Sequence, residues 1–256
     1  MSVSQISSRW FVSNYVFATL AIGTAYTFKV RTLIDCVLML TKGDMIVITD
    51  DVEEIEKYAS DNGLDTSRLT VLALNQVTDQ GPWFAERKFN FNLKMVPTRV
   101  AYEMGKYDMI VHADADSFMI GWDEEDFQKF IQDPNQGMIA RFRNRPCEEV
   151  GIGFILEPKA TALSLELINI KARMPIEVFM FFKPNCPEFK HFMDEWIMIT
   201  KRCNDRGVDP FIEALEIAYA LSESKLPHHP ILDYMRLYPV LHTFRYLHHD
   251  KIMRII

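Results

Sequence analysis

The sequence predicts an α/β fold with a mostly parallel central sheet flanked by helices. Residues 45–48 and 109–111 are short apolar runs, and each run is followed by acidic residues. Such runs are typical of buried strands. Residues 14–48 show a strand, a loop of small residues, a helix and a second strand. This order is a βαβ unit, and βαβ units build parallel sheets.

The remaining elements are predicted from hydrophobic periodicity and turn signals. In the first helix, residues 26–40, apolar side chains recur near helical spacing. The sequence Asp61-Asn62-Gly63 is a strong turn signal after the second helix, and Pro97 is tolerated in the first turn of another helix. In chain order we predict a helix at 52–60, a strand at 69–74, a helix at 97–104, the strand before residue 114, a helix at 123–131, strands at 139–142 and 152–156 separated by a loop at 143–146, a helix at 161–170, a strand at 177–183, helices at 187–203 and 210–221, and an irregular tail from Pro227.

Two acids, Asp114 and Asp116, follow the buried strand at 109–111 and are separated by one small residue. We expect them at the carboxyl edge of the sheet, where open α/β folds bind ligands. Their hard oxygen ligands suit Mg²⁺ or Mn²⁺, which in turn suit a diphosphate. The alternative for an isolated Asp-x-Asp is a solvated turn after a strand, so the context has to decide.

The order of several motifs resembles the nucleotide-diphospho-sugar transferases of the GT-A fold. The motifs are, in order, a small-residue loop with a tyrosine (residues 19–26), IVITDD, an Arg/Lys-bearing segment (residues 87–99), YDMIVHADADS, EVGIGFILEP and DPFIEALEIAYAL. Each motif is short, and the specificity lies in their order and spacing over residues 15–232. The resemblance implies one glycosyltransferase domain over residues 1–256. Residues 15–135 would form the nucleotide-sugar half on a Rossmann-like sheet. Residues 136–256 would form the acceptor half with a smaller mixed sheet.

The resemblance also implies a metal-dependent glycosyltransferase whose donor is a nucleoside-diphosphate sugar, with a UDP-sugar as the expected donor and Mn²⁺ or Mg²⁺ as the cofactor. Asp116 would then be a direct metal ligand, and Asp114 a ligand or a ribose contact. Tyr26 would stack on the nucleobase, with ordinary helix packing as the alternative. The other donor contacts that we expect are Thr19, Ala21 and Asp50 at the base or ribose, and Lys94 and Arg99 at the diphosphate.

The sequence also offers candidates for a third metal ligand and for an acid–base group. Family members often add a later histidine to the metal site, which makes His248 and His249 candidates, although a solvated pair is the alternative. An inverting enzyme needs a general base for the acceptor hydroxyl. The candidate acids on the acceptor side are Glu149, Asp209 and Glu213, with Glu216 beside them.

The acceptor is open between a glycan, a lipid-linked sugar, a protein hydroxyl and a DNA base. The formal net charge of −7 argues against a globally basic nucleic-acid binder. Locally, however, Arg141, Arg143 and Arg145 form a cluster that could follow a phosphate backbone, for example around an extruded hydroxymethylated base.

Length and composition fit a globular protein with one hydrophobic core. Four scattered cysteines show no Cys-x-x-Cys pair and no disulfide framework, which favours a reducing cytoplasm. The apolar stretch at 15–22 is too short to span a bilayer.

Two other functional classes stay open. A nucleotidyltransferase would also use paired acids, but no Gly-x-Gly phosphate loop occurs near residue 23. A non-catalytic sugar-nucleotide-binding protein is the other alternative.

Overall fold

The computed structural model describes residues 14–77, 91–119, 121–122, 124–146, 173–205, 213–230 and 246–248. The strands are β1 (Tyr15–Ala21), β2 (Asp44–Thr49), β3 (Leu69–Ala73), β4 (Met109–Ala113), β5 (Ser117–Met119), β6 (Met138–Pro146), β7 (Arg173–Phe182), β8 (His228–Pro230) and β9 (Tyr246–His248). The helices are α1 (Thr24–Leu40), α2 (Val52–Asp61), α3 (Leu74–Val77), α4 (Met95–Glu103), α5 (Glu124–Gln132), α6 (Phe189–Asp205) and α7 (Glu213–Ser224), with 3₁₀ turns at Thr66–Arg68 and Phe91–Lys94.

Seven of these strands form one mixed sheet in the order β3-β2-β1-β4-β7-β6-β8. The pairs β3–β2, β2–β1, β1–β4 and β6–β8 are parallel, whereas β7 runs antiparallel to both β4 and β6. A second sheet pairs β5 with β9. The predicted α/β fold with a mostly parallel central sheet is therefore confirmed, and the sheet contains strands from both predicted halves of the chain.

Apolar side chains cover both faces of the sheet. Alternate residues of a strand point to opposite faces, and β1 divides its side chains in this way. Val16 and Ala18 belong to the core cluster that α4, α6 and α7 complete, whereas Tyr15 and Phe17 belong to the cluster beneath α1 and α5. The sheet is thus buried between two helical layers, and its edges and strand ends remain for binding.

The strand order reverses between β1 and β4. From β1 the chain moves outward through α1 to β2 and then to β3, and it later returns by way of α4 to β4 on the other side of β1. This reversal is a topological switch point, and open α/β sheets bind ligands in the crevice at the carboxyl ends of such strands. The crevice lies where β1 meets Gly23 and β4 meets Asp114.

Two local predictions were wrong. The predicted loop at 143–146 is part of β6, which continues beside β7 with register shifts after Ala140 and Phe142. The tail contains β8 and β9, although we predicted no regular structure from Pro227. Both strands form by pairing with distant segments, β8 with β6 and β9 with β5, and local patterns do not reveal such pairing. The strand predicted at 152–156 and the helix predicted at 161–170 lie outside the described residues.

Within the part of the chain that the structure describes, no helix combines the length and the apolar character needed to cross a membrane. Among the described helices the longest are α1 and α6, with 17 residues each.

The aromatic packing of Phe182 generates a stability prediction. Phe182 in β7 is fully buried, and its ring centroid lies 5.7 Å from that of Phe189 and 5.5 Å from that of Phe192. We expect Phe182→Ala to lower the free energy of unfolding by about 3–5 kcal/mol, because it leaves a cavity in the core. The control is Phe28→Ala in α1, where the side chain is 59% exposed and a change of about 0.5 kcal/mol or less is expected. Urea denaturation measures both, and equal losses would contradict the packing described.

Candidate functional site

The candidate site begins at the turn that follows β4. All five residues of β4 are buried. The chain then bends, and the N–H of Ser117 donates to the carbonyl oxygen of Asp114 at 3.0 Å. Asp114 is half-buried and Asp116 is 6% exposed. The turn therefore holds two carboxylates at the carboxyl end of the strand next to β1.

Each of these carboxylates has a lysine partner from another element. The Nζ of Lys94, in the 3₁₀ turn before α4, lies 3.0 Å from Oδ1 of Asp114. The Nζ of Lys29, on α1, lies 3.7 Å from Oδ2 of Asp116. All four side chains are at most one-fifth exposed, so water screens these pairs less than it screens pairs on an open surface. A diphosphate contact is predicted from the sequence for Lys94, whereas Lys29 was not among the predicted site residues.

Tyr26 stands beside the same charges. It lies in the first turn of α1, one turn before Lys29, whose Nζ is 5.4 Å from the centre of its ring. Burial raises the pKa of Tyr26, and the negative charge of Asp116 raises it further, while the charges of Lys29 and Lys94 lower it. The side chain is therefore a neutral phenol at physiological pH, and it offers an aromatic surface next to the carboxylates.

Asp50 fixes the loop between β1 and α1. The N–H of Gly23 donates to both carboxylate oxygens of Asp50 at 3.0 Å. Gly23 has φ 80° and ψ 153°, a region of backbone conformation that is essentially open to glycine alone. The carboxylate of Asp50, for which we predicted a base or ribose contact, thus binds the backbone of this loop. Thr19 and Ala21 are fully buried in β1, below this loop.

Arg99 contacts Val77 and Glu103 rather than the two carboxylates of the site. Its Nη2 donates to the carbonyl oxygen of Val77 at 2.5 Å, and its Nε lies 3.6 Å from Oε1 of Glu103. It lines a cavity of about 440 Å³ between α3 and α4, together with Gln76, Val100 and Met104. Of the two cations predicted for the diphosphate, the structure pairs only Lys94 with an acid of the site.

His248 is brought close to the site through the backbone. In the pairing of β5 with β9, His248 is opposite Ser117, the residue that follows Asp116. His249 lies outside the described residues, as do Glu149 and Asp209. Glu213 is the first residue of α7.

Two further predicted groups have defined places in the fold. Glu216 is buried, and it accepts a hydrogen bond from Oγ1 of Thr200 at 2.8 Å, which joins α7 to α6. Arg141, Arg143 and Arg145 occupy alternate positions of β6, and Arg141 is exposed.

His112 is a buried polar residue that sequence reasoning missed. Its Nδ1 lies 3.1 Å from Oγ1 of Thr98, and burial lowers its pKa to about 4. It is therefore neutral at physiological pH. A histidine inside the apolar run before Asp114 was the only signal in the sequence, and such a residue is usually part of the core.

The residues present fit a divalent cation that a bound substrate helps to hold. Mg²⁺ is usually bound through one or two carboxylates, with waters and substrate phosphates completing its shell. Asp114 and Asp116 supply such carboxylates. Among the described residues, no group of three or more His, Cys, Asp and Glu side chains is arranged to hold a metal, so these residues form no complete protein cage.

Comparisons with known proteins show the fold. No protein-family model matches the chain, and no curated protein matches it in sequence. The crystal structure of mouse xyloside xylosyltransferase 1 in its apo form is similar, with a TM-score of 0.50 and 11% sequence identity. The match covers 85% of this chain and 84% of the mouse chain. The chain therefore has a fold like that of this glycosyltransferase.

Proposed function

We propose that the protein is a metal-dependent glycosyltransferase that moves a sugar from a nucleoside-diphosphate sugar to an acceptor hydroxyl. One observation carries this proposal. At the switch point of the sheet, an aromatic ring, two carboxylates and two ammonium groups lie together, contributed by Tyr26, Asp114, Asp116, Lys29 and Lys94. The fold shared with a xylosyltransferase supports it.

These side chains match the parts of such a donor. The ring of Tyr26 would stack on the nucleobase, since aromatic rings can stack on any of the bases. The ammonium group of Lys94 is suited to a phosphate oxygen as a point charge. Asp114 and Asp116 would hold Mn²⁺ or Mg²⁺, and the cation would neutralise the charge that develops on the departing diphosphate.

The acceptor hydroxyl needs a group that takes its proton if the reaction inverts the sugar. We propose this role for an acid of the acceptor half, and Glu149, Asp209 and Glu213 are the candidates. Glu216 is not among them, because it is buried against α6 and bonded to Thr200.

A donor screen tests the proposed reaction. Purified protein is incubated with Mn²⁺ and a panel of nucleoside-diphosphate sugars, UDP-sugars first, and the released nucleotide is identified. We expect release of a nucleoside diphosphate. Release of pyrophosphate would favour a nucleotidyltransferase instead, and donor binding without turnover of any donor would favour a non-catalytic binding protein.

The first prediction for the proposed function concerns Asp116. We expect Asp116→Asn to abolish donor hydrolysis and transfer, because a lost metal ligand removes several kcal/mol of charge stabilisation in the transition state, while the near-isosteric change preserves the fold. The control is Asp108→Asn at the opposite end of β4, where the carboxylate accepts from Asn14 and Asn185. Asp108→Asn should keep activity. A rate for Asp116→Asn within a few-fold of wild type, or full wild-type activity in EDTA, would rule the metal role out.

The second prediction concerns Tyr26. If its ring stacks on the nucleobase, Tyr26→Ala should weaken donor binding by about 1–3 kcal/mol and change the turnover of bound donor little. Tyr26→Phe keeps the ring and removes the hydroxyl, so it should bind the donor nearly as well as wild type. Isothermal titration calorimetry with UDP and Mn²⁺ makes the comparison. Equal affinity of folded Tyr26→Ala and wild type would show that Tyr26 only packs in α1.

The third prediction concerns the acceptor. The net charge of −7 argues against a globally basic nucleic-acid binder, so we propose a neutral glycan rather than DNA as the acceptor. Replacing Arg141, Arg143 and Arg145 together with alanine should then leave donor hydrolysis and transfer unchanged, and salt should have little effect. A DNA acceptor predicts the opposite, because each phosphate contact releases counterions and makes binding fall steeply with salt. Gel-shift and transfer assays with single-stranded and duplex DNA at 50 and 200 mM NaCl separate the two, because three phosphate contacts would weaken binding by about 20- to 40-fold over this range.

A further inference from the structure

The ion pair between Lys29 and Asp116 belongs to the proposed site, but the transfer chemistry described above assigns Lys29 no step of its own. Lys29 lies in α1 beside Val30, and the buried side chains of this helix are almost all apolar. Its ammonium group nevertheless reaches an acid that is only 8% exposed in its side chain. A lysine held against a buried carboxylate neutralises it at the place where a cation would bind.

The two ion pairs of the site differ in length. The Nζ of Lys94 is 3.0 Å from Asp114, within hydrogen-bonding distance, whereas the Nζ of Lys29 is 3.7 Å from Asp116, which is longer than a hydrogen bond. The ammonium group of Lys29 also lies near the ring of Tyr26. The contact between Lys29 and Asp116 is therefore the looser of these two ion pairs, and the easier of the two to exchange for another anion.

A divalent cation and the ammonium group of Lys29 compete for the same carboxylate. Mg²⁺ binds oxygen ligands at about 2.0–2.1 Å, which would place it within a few ångströms of the Lys29 nitrogen. Like charges at this distance repel, and a mostly buried site screens the repulsion weakly. Full binding of the cation at Asp116 therefore requires that the ammonium group move to another partner.

We propose that Lys29 competes with the divalent cation for Asp116 and thereby makes metal binding depend on the nucleotide. This inference rests on the proposed function. Without nucleotide, Lys29 neutralises Asp116 and weakens metal binding. When a nucleoside diphosphate enters, its phosphates give the ammonium group another anionic partner, and the carboxylate becomes free for the cation. Metal and nucleotide then bind cooperatively, and each strengthens the other by the same factor.

Mn²⁺ titrations of the metal-free protein test this inference. The affinity for MnCl₂ is measured by calorimetry, alone and with saturating UDP, for wild type and Lys29→Met. We expect Lys29→Met to bind Mn²⁺ alone about tenfold more tightly, within the usual range of coupling between sites, and the strengthening by UDP to shrink by a similar factor. Lys57→Met, at an exposed position of α2, removes the same charge and should match wild type. Lys29→Gln is the second neutral variant, in case Lys29→Met does not fold.

The outcomes separate this inference from the proposed function. If the neutral Lys29 variant and Lys57→Met bind Mn²⁺ equally, alone and with UDP, Lys29 is not a competitor. The metal site itself would then still stand, provided that Asp116→Asn abolishes Mn²⁺ binding. If no variant binds Mn²⁺ with or without UDP, both the competition and the metal-dependent reaction are wrong.

Discussion

The parallel pairing of β1 with β4 is the constraint that assembles the candidate site. The register runs from Tyr15 opposite Met109 to Ala18 opposite His112. Because the two strands run in the same direction, both release the chain at the same edge of the sheet. There β1 leads into Gly23 and α1, and β4 leads into the turn of Asp114 and Asp116. Tyr26 and Asp116 are far apart in the sequence, and this pairing makes them neighbours.

The charges at this edge explain how such a site folds without a metal. The turn after β4 holds two largely buried carboxylates, and a buried charge is costly unless it is paired. Lys94 and Lys29 provide the pairing, one from each side of the sheet edge. Because these charges are paired within the protein, the proposed metal need not contribute to the folding of the domain, in contrast to proteins in which the free energy of metal binding is needed to fold.

Sequence patterns predicted those elements that a single continuous segment of the chain determines. Apolar periodicity and strand-end acids predicted the βαβ unit and placed Asp114 and Asp116 at the sheet edge, because both follow from a single segment of chain. The contacts of Lys29 and Arg99 could not be predicted in this way, since they depend on how a helix is rotated against the sheet. The continuation of β6 beside β7 was also hidden, because β7 comes much later in the sequence.

The hydrogen bonds of Gly23 indicate where in the crevice the phosphates of the proposed donor would lie. Nucleotide-binding folds often place phosphate against the N–H groups at the start of the first helix. Here the Gly23 N–H is bonded to both oxygens of Asp50, and the negative charge of this carboxylate repels phosphate. The positive charges of the site lie instead at Lys29 and Lys94, beside the two acids. The diphosphate of the proposed donor would then lie against the lysines and the turn after β4, which suits the proposed metal-assisted departure of a diphosphate better than a glycine-loop nucleotidyltransferase.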